Sequence, residues 1–139
     1  MQPSSQEIKK LLETVKTIAV VGAKDGTGQA AEYVPKYLMK AGYQIIPIHP
    51  VRQNVFGLPT YKSIRDLPGP VDLIDLFRAS QYCPDHAREV LAMPWRPLCF
   101  WMQLGISSPE ARELLEKEGV TVVENLCLGE EHQRLFPSR

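Results

Sequence analysis

The sequence predicts a three-layer α/β fold in which helices cover both faces of a doubly wound parallel sheet of about five strands. Three observations carry that expectation. Short apolar runs recur along the chain, stretches with helical spacing alternate with them, and the first run ends in a glycine-rich loop that opens a helix. At 139 residues, 44% of them apolar, the chain can bury one continuous core without metals or disulfides, and residues 1–139 are expected to form one domain.

The elements follow in order. Ser4 and Ser5, followed by Glu7, can cap a short helix that carries Ile8, Leu11, Leu12 and Val15 on one face. Residues 17–22 are a continuous apolar run ending in Gly22, as expected of a strand covered on both faces. Over 31–41 the spacing of Val34, Leu38 and Ala41 is helical. Pro35 is tolerable there only if the helix starts within a turn of it, which places the helix N-terminus near Gly28 and Gln29. Gly42 ends that helix, and 43–49 form a second strand that closes in Pro50.

The period then repeats. A loop over 52–61 has room for a short strand; a turn of helix near 63–66 and a strand at 71–77 follow. A helix over 82–93 leads to a strand at 98–102, and Ser108 as N-cap with Pro109 in the first turn starts another helix that Gly119 ends. A strand at 120–124 and a short polar tail with Glu130, Glu131 and His132 complete the chain. No internal repeat or linker interrupts the alternation, so the βα units wind a Rossmann-like sheet.

Charge and cysteine usage narrow the classes. Lys and Arg number 16, as do Asp and Glu, so neither nucleic acid nor a membrane surface is expected as partner, and any bound anion must be met locally. Cys83, Cys99 and Cys127 are an odd number without metal-ligand spacing, and neither a signal peptide nor a long apolar run is visible. A cytoplasmic protein without a metal site is expected.

In such sheets ligands bind at the carboxyl ends of the strands, where the strand order reverses beside the first strand. The first loop, with Gly22, Ala23, Lys24 and Gly28, lets backbone N–H groups approach an anion, and the following helix N-terminus, at Gln29, adds partial positive charge. Its glycines are spaced G-x-x-x-G-x-G and do not match the dinucleotide fingerprint; a diphosphate site and a flexible turn both fit it. The end of the second strand, where a nicotinamide dinucleotide site carries Asp or Glu, holds His49 and Pro50. Phe77 and Arg78 emerge together after the third strand, where Arg78 can stack on a base or reach a phosphate. After the fourth, Gln103, Gly105 and Ile106 offer an amide and a close backbone approach.

With those loops in view, the chain resembles the CoA-binding family related to the N-terminal domain of the succinyl-CoA synthetase α subunit. The resemblance spans nearly the whole chain. It rests on Ile18-Ala-Val-Val-Gly-Ala23, Tyr33-Val34 with Tyr37-Leu38, Gly42-Tyr43 with Ile46-Pro-Ile-His-Pro50, Val71-Asp72 with Asp75-Leu-Phe-Arg78, Trp101 with Gln103 and Gly105, and Cys127 with Glu131-His132 and Arg134-Leu135. It implies coenzyme A as cofactor, with the diphosphate over Gly22, Ala23 and the loop to Gln29, the adenosine among His49, Pro50, Phe77 and Arg78, and the pantetheine arm along 103–106. Gln29, His49 and Leu126 depart from the family's usual arginine, asparagine and arginine, leaving Lys24, Lys36, Arg52 and Arg78 to supply the charge.

The related synthetase carries its phosphorylated histidine on another domain, so a non-catalytic CoA or acyl-CoA binding module is the expected function, with no catalytic residue assigned. Cys127 is the candidate for covalent chemistry, as a thiol near the strand edge or as a small core residue; His86, on a polar helix, is expected to be solvated. The alternatives are an NAD(P)-dependent enzyme on the same fold, and a protein-interaction subunit that has lost the ligand. Exposed sheet edges also allow a homodimer.

Overall fold

The computed structural model describes residues 2–137. Five parallel strands, β1 (Thr17–Val21), β2 (Gln44–Ile48), β3 (Leu73–Leu76), β4 (Cys99–Met102) and β5 (Thr121–Val123), stand in the order β2-β1-β3-β4-β5. The order reverses between β1 and β3, which is the switch point of a doubly wound sheet. The register pairs Val21 with Ile48 on one side and with Leu76 on the other, so these strands end level and their following loops share one edge.

Two cores flank the sheet. Helices α1 (Ser5–Thr14), α2 (Ala30–Lys40) and α5 (Leu128–Leu135) cover one face, on Ile18, Val20, Leu73 and Trp101. Helices α3 (Cys83–Leu91) and α4 (Pro109–Glu116) cover the other, on Ala19, Val21, Ile74 and Phe100. Successive strand residues point to opposite faces, which is why strands covered on both sides read as unbroken apolar runs. The expected three-layer Rossmann-like architecture is the one observed.

The local signals work as their chemistry requires. Ser4 and Glu7 form the capping box of α1, with Glu7 N–H donating to Ser4 Oγ at 3.1 Å and Ser4 N–H to Glu7 Oε1 at 2.8 Å. Ser108 caps α4 through Ala111 N–H. Three expectations need correction. Pro35 lies in the second turn of α2, not within its first. Residues 52–61 form no strand: a 3-10 turn at Val55–Gly57 and one bridge from Ile48 to Tyr61 take its place. The polar tail is α5, whose His132 is buried with Nδ1 2.7 Å from Tyr37 Oη and its ring stacked on Phe136. No helix among the described residues is long and apolar enough to cross a membrane.

Candidate functional site

The site begins with Gly22, where β1 leaves the sheet. Its φ of +86° lies in the left-handed region, and a Cβ there would sit 2.7 Å from the carbonyl oxygen of Phe77. Only glycine lets the first loop pass this close to the loop after β3. Beyond it, Pro35 cannot donate to the carbonyl of Ala31 as a helical residue would. That carbonyl accepts Lys24 N–H at 3.3 Å instead, tying the loop to the first turn of α2.

The glycines after Lys24 wrap around an internal anion. Gly26, Thr27 and Gly28 donate their N–H groups to the Glu32 carboxylate at 2.6, 3.1 and 2.7 Å, and Lys36 pairs with it at 3.1 Å. The N–H of Gly28 foremost, then that of Gly26 and the Lys36 ammonium, hold Glu32 down at a pKa of about 2. Gly28 is thus committed within the loop. The N–H groups of Ala30 and Ala31, in the first turn of α2, have no intrahelical acceptor, and both residues line the cleft above the switch point.

Positive charge gathers on the β2 side. His49 Nδ1 accepts the backbone N–H of Val51 at 3.1 Å and of Arg52 at 3.0 Å, so in the neutral ring Nε2 carries the hydrogen. Burial, then the charges of Arg52, Lys24 and Arg78, lowers the pKa of His49. Three cationic side chains from three loops, Lys24, Arg52 and Arg78, therefore act on one place, at His49. Arg52 also donates to the Asp25 carbonyl at 2.9 Å, joining the β1 and β2 loops. Arg78 stacks its guanidinium on Tyr82, 4.5 Å from the ring centroid, while its buried Nε has no hydrogen-bond partner among the described residues.

Two concavities meet at the switch point. A cleft of about 430 Å³ is lined by Gly22, Lys24, Gln29, Phe77, Arg78, Gln103 and Ile106, all expected as site residues from the sequence, and by Tyr33, Leu104, Cys127 and Glu130, which were not assigned to the cofactor individually. A more enclosed pocket of about 150 Å³ shares Gly22 and Arg78 with it and adds Pro50. Ala23, Gly28, His49 and Gly105 line neither: Ala23 is buried in the core, and Gly105 N–H donates to Asn125 Oδ1 at 2.6 Å. Tyr33 and Leu104 stand 58% and 66% exposed at the mouth, a pair of apolar surfaces with nothing covering them.

Gln103 lines the cleft but turns its polar atoms inward. Its Nε2 donates to Asp75 Oδ1 at 2.5 Å and its Oε1 accepts Leu128 N–H at 3.3 Å, so it joins β3 to the start of α5. Asp75 is fully buried; desolvation, only partly offset by Gln103, pushes its pKa up to about 7. Cys127 is half-buried and its pKa is raised, by burial first, against the N–H groups of Glu130 and Gly129. It is a thiol at neutral pH. Leu126 packs against the core while its carbonyl accepts Trp101 Nε1–H at 2.8 Å.

His86 departs from the expectation of a solvated residue. Its side chain is 17% exposed, with Nδ1 2.6 Å from Glu89 Oε1, and it faces the smaller pocket. The missed signal was positional: α3 starts at the carboxyl edge of β3, so the His86 and Glu89 pair, three residues apart, is delivered to the same rim. A larger groove of about 860 Å³ runs along the free edge of β5, beside α1. It lies away from the converging loops, and Gln2 on its rim is already bonded to Arg112 and to the Glu124 backbone.

Comparison with known proteins gives a consistent result. The CoA binding domain family matches residues 16–133. An uncharacterized protein of Bacillus subtilis (strain 168), YneT, is 37% identical over 130 residues, which span 94% of this chain and 95% of that one. A solved Thermus thermophilus structure, cell-free ID.343, superposes with a TM-score of 0.89 at 42% identity, over 96% of this chain and all of that one. The ADP-forming acetate–CoA ligase of Methanocaldococcus jannaschii is 31% identical over 64 residues, 46% of this chain but 9% of that enzyme.

Proposed function

The chain belongs to the CoA binding domain family, and from that premise we propose that it binds coenzyme A or an acyl-CoA as a non-catalytic module. The observation that carries the reading is the meeting of two concavities at Gly22 and Arg78, at the switch point, under the shared field of Lys24, Arg52 and Arg78. A ligand with a base at one end, phosphates in the middle and a long thin arm suits this division. The diphosphate lies at the Ala30 and Ala31 amides beside Lys24 and Gln29, with Arg78 above. The pantetheine arm follows Ile106 and Leu104, and Tyr33 flanks the exit.

Burial raises the pKa of Cys127, the cysteine lining the cleft, and holds it as a thiol, which supports a binding rather than a covalent role. His49 at the end of β2 offers a donor at Nε2 where a nicotinamide dinucleotide site presents a carboxylate, which favours CoA over NAD(P). Thermal unfolding with CoA, acetyl-CoA, NAD, NADP and ATP, each at about 1 mM, tests the reading, since a ligand at 100 times its Kd adds about 2.7 kcal/mol of stability. An upward shift with CoA and acetyl-CoA alone is expected. A shift with NAD(P) and not with CoA overturns it.

A further inference from the structure

We propose that the smaller pocket reads the base of the bound nucleotide through its exocyclic 6-amino group, with His86 Nε2 as the acceptor and Glu89 as the positioning residue that fixes the tautomer of His86. This rests on the coenzyme reading and adds to it a base-specificity device on α3. The pocket has an apolar floor of Ile48, Ile64 and Pro50, and its volume of about 150 Å³ suits a flat bicyclic ring. It opens toward the phosphate region at Gly22 and Arg78, so a nucleotide can place its base here and its phosphates in the main cleft.

The chemistry of the wall selects the base. His86 Nδ1 lies 2.6 Å from Glu89 Oε1, and an ionised carboxylate only accepts, so Nδ1 holds the hydrogen. In the neutral ring Nε2 is therefore a lone-pair acceptor, the reverse of His49. That Nε2 is buried and has no hydrogen-bond partner among the described residues. A buried acceptor without a partner favours a ligand that brings an N–H. Adenine presents an amino group at position 6, whereas hypoxanthine and guanine present a carbonyl oxygen, which would set two acceptors against each other.

Calorimetric titration of the full chain with CoA, and with its analogue carrying hypoxanthine in place of adenine, tests the proposal. The analogue is expected to bind at least about tenfold more weakly, the effect of one hydrogen bond lost at a buried partner. In Glu89→Gln the amide can donate to Nδ1 as well as accept from it, so the tautomer is no longer fixed and the preference falls toward unity. Should that variant not fold, the two titrations of the natural chain decide alone. Equal affinity for the two compounds, or an undiminished preference in Glu89→Gln, overturns the base-reading role and leaves the coenzyme reading standing. Absence of binding by both removes the coenzyme reading and this role with it.

Discussion

The carboxylate of Glu32 accepts the backbone N–H of Gly28 at 2.7 Å, so the glycine-rich loop is closed around one of the chain's own side chains. A loop that a reader of the sequence would leave open for phosphate is already shaped by an anion. The loop is held by that carboxylate, and Ala30 and Ala31, whose amides have no intrahelical acceptor, line the cleft beside it.

Glu32→Gln removes that internal anion. The expected outcome is a lower Tm and faster hydrogen exchange at the amides of Gly26, Thr27 and Gly28. The folded pKa of Glu32 is depressed from an ordinary 4.5 to about 2, so its stabilisation is present above pH 4.5 and lost as pH falls toward 2. The Tm gap between the natural chain and the variant should be constant at neutral pH and close through that acidic window. A gap that widens on acidification contradicts the assignment.

Gly22→Ala places a methyl group against the Phe77 carbonyl at a φ that alanine resists. Strain at the backbone and overpacking together should destabilise the fold by about 2–5 kcal/mol in urea titration. A loss below about 0.5 kcal/mol would mean the two loops separate easily, and the close approach would not define the site.

Arg78→Ala should leave the fold nearly intact, because the Tyr82 stack it removes is worth about 0.5–1 kcal/mol at a partly exposed site. Coenzyme affinity should fall roughly 10- to 150-fold, as one charge-assisted hydrogen bond of about 1.5–3 kcal/mol is lost. Titration of both proteins with CoA checks this; an unchanged Kd contradicts a contact at Arg78.

Asp75→Asn probes the buried carboxyl under the cleft. The folded pKa of Asp75 is raised from 3.8 to about 7, so the native state holds its proton longer than the unfolded chain does. Stability then declines as pH rises from 3.8 to about 7, by at most roughly 4 kcal/mol, and stays level above. The asparagine variant should lack this slope and equal or exceed the natural chain at pH 8. Denaturant titrations across that range decide; an identical slope in both contradicts the assignment.

The layers, the sheet and most elements were legible because periodicity reports burial directly: strands covered on both faces read as apolar runs, and Ser4, Ser108 and Gly119 mark boundaries by chemistry local to them. What failed depended on distant partners. The tail reads as polar because His132, Glu131 and Arg134 dominate it, yet His132 is buried by Tyr37 and Phe136. Of the candidate site, Gly22, Lys24, Phe77, Arg78, Gln103 and Ile106 were legible from their place after each strand, whereas Tyr33 and Glu130 reach the cleft from α2 and α5. The commitment of Gly28 to Glu32 and of Gln103 to Asp75 was not, because neither bond has a local sequence signature. His86 was misjudged because the turn at Lys62, Ser63 and Ile64, distant in sequence, lies against the same side of α3 and encloses it.

The most direct measurement is a titration of isotope-labelled protein with CoA, followed by amide chemical shifts. Shifts concentrated at Gly22, Lys24, Ala30, Ala31, Arg78 and Ile106 are predicted, with the groove at Lys10, Thr121 and Val122 silent. No shift at millimolar CoA, or shifts confined to that groove along β5, would contradict a coenzyme site at the switch point.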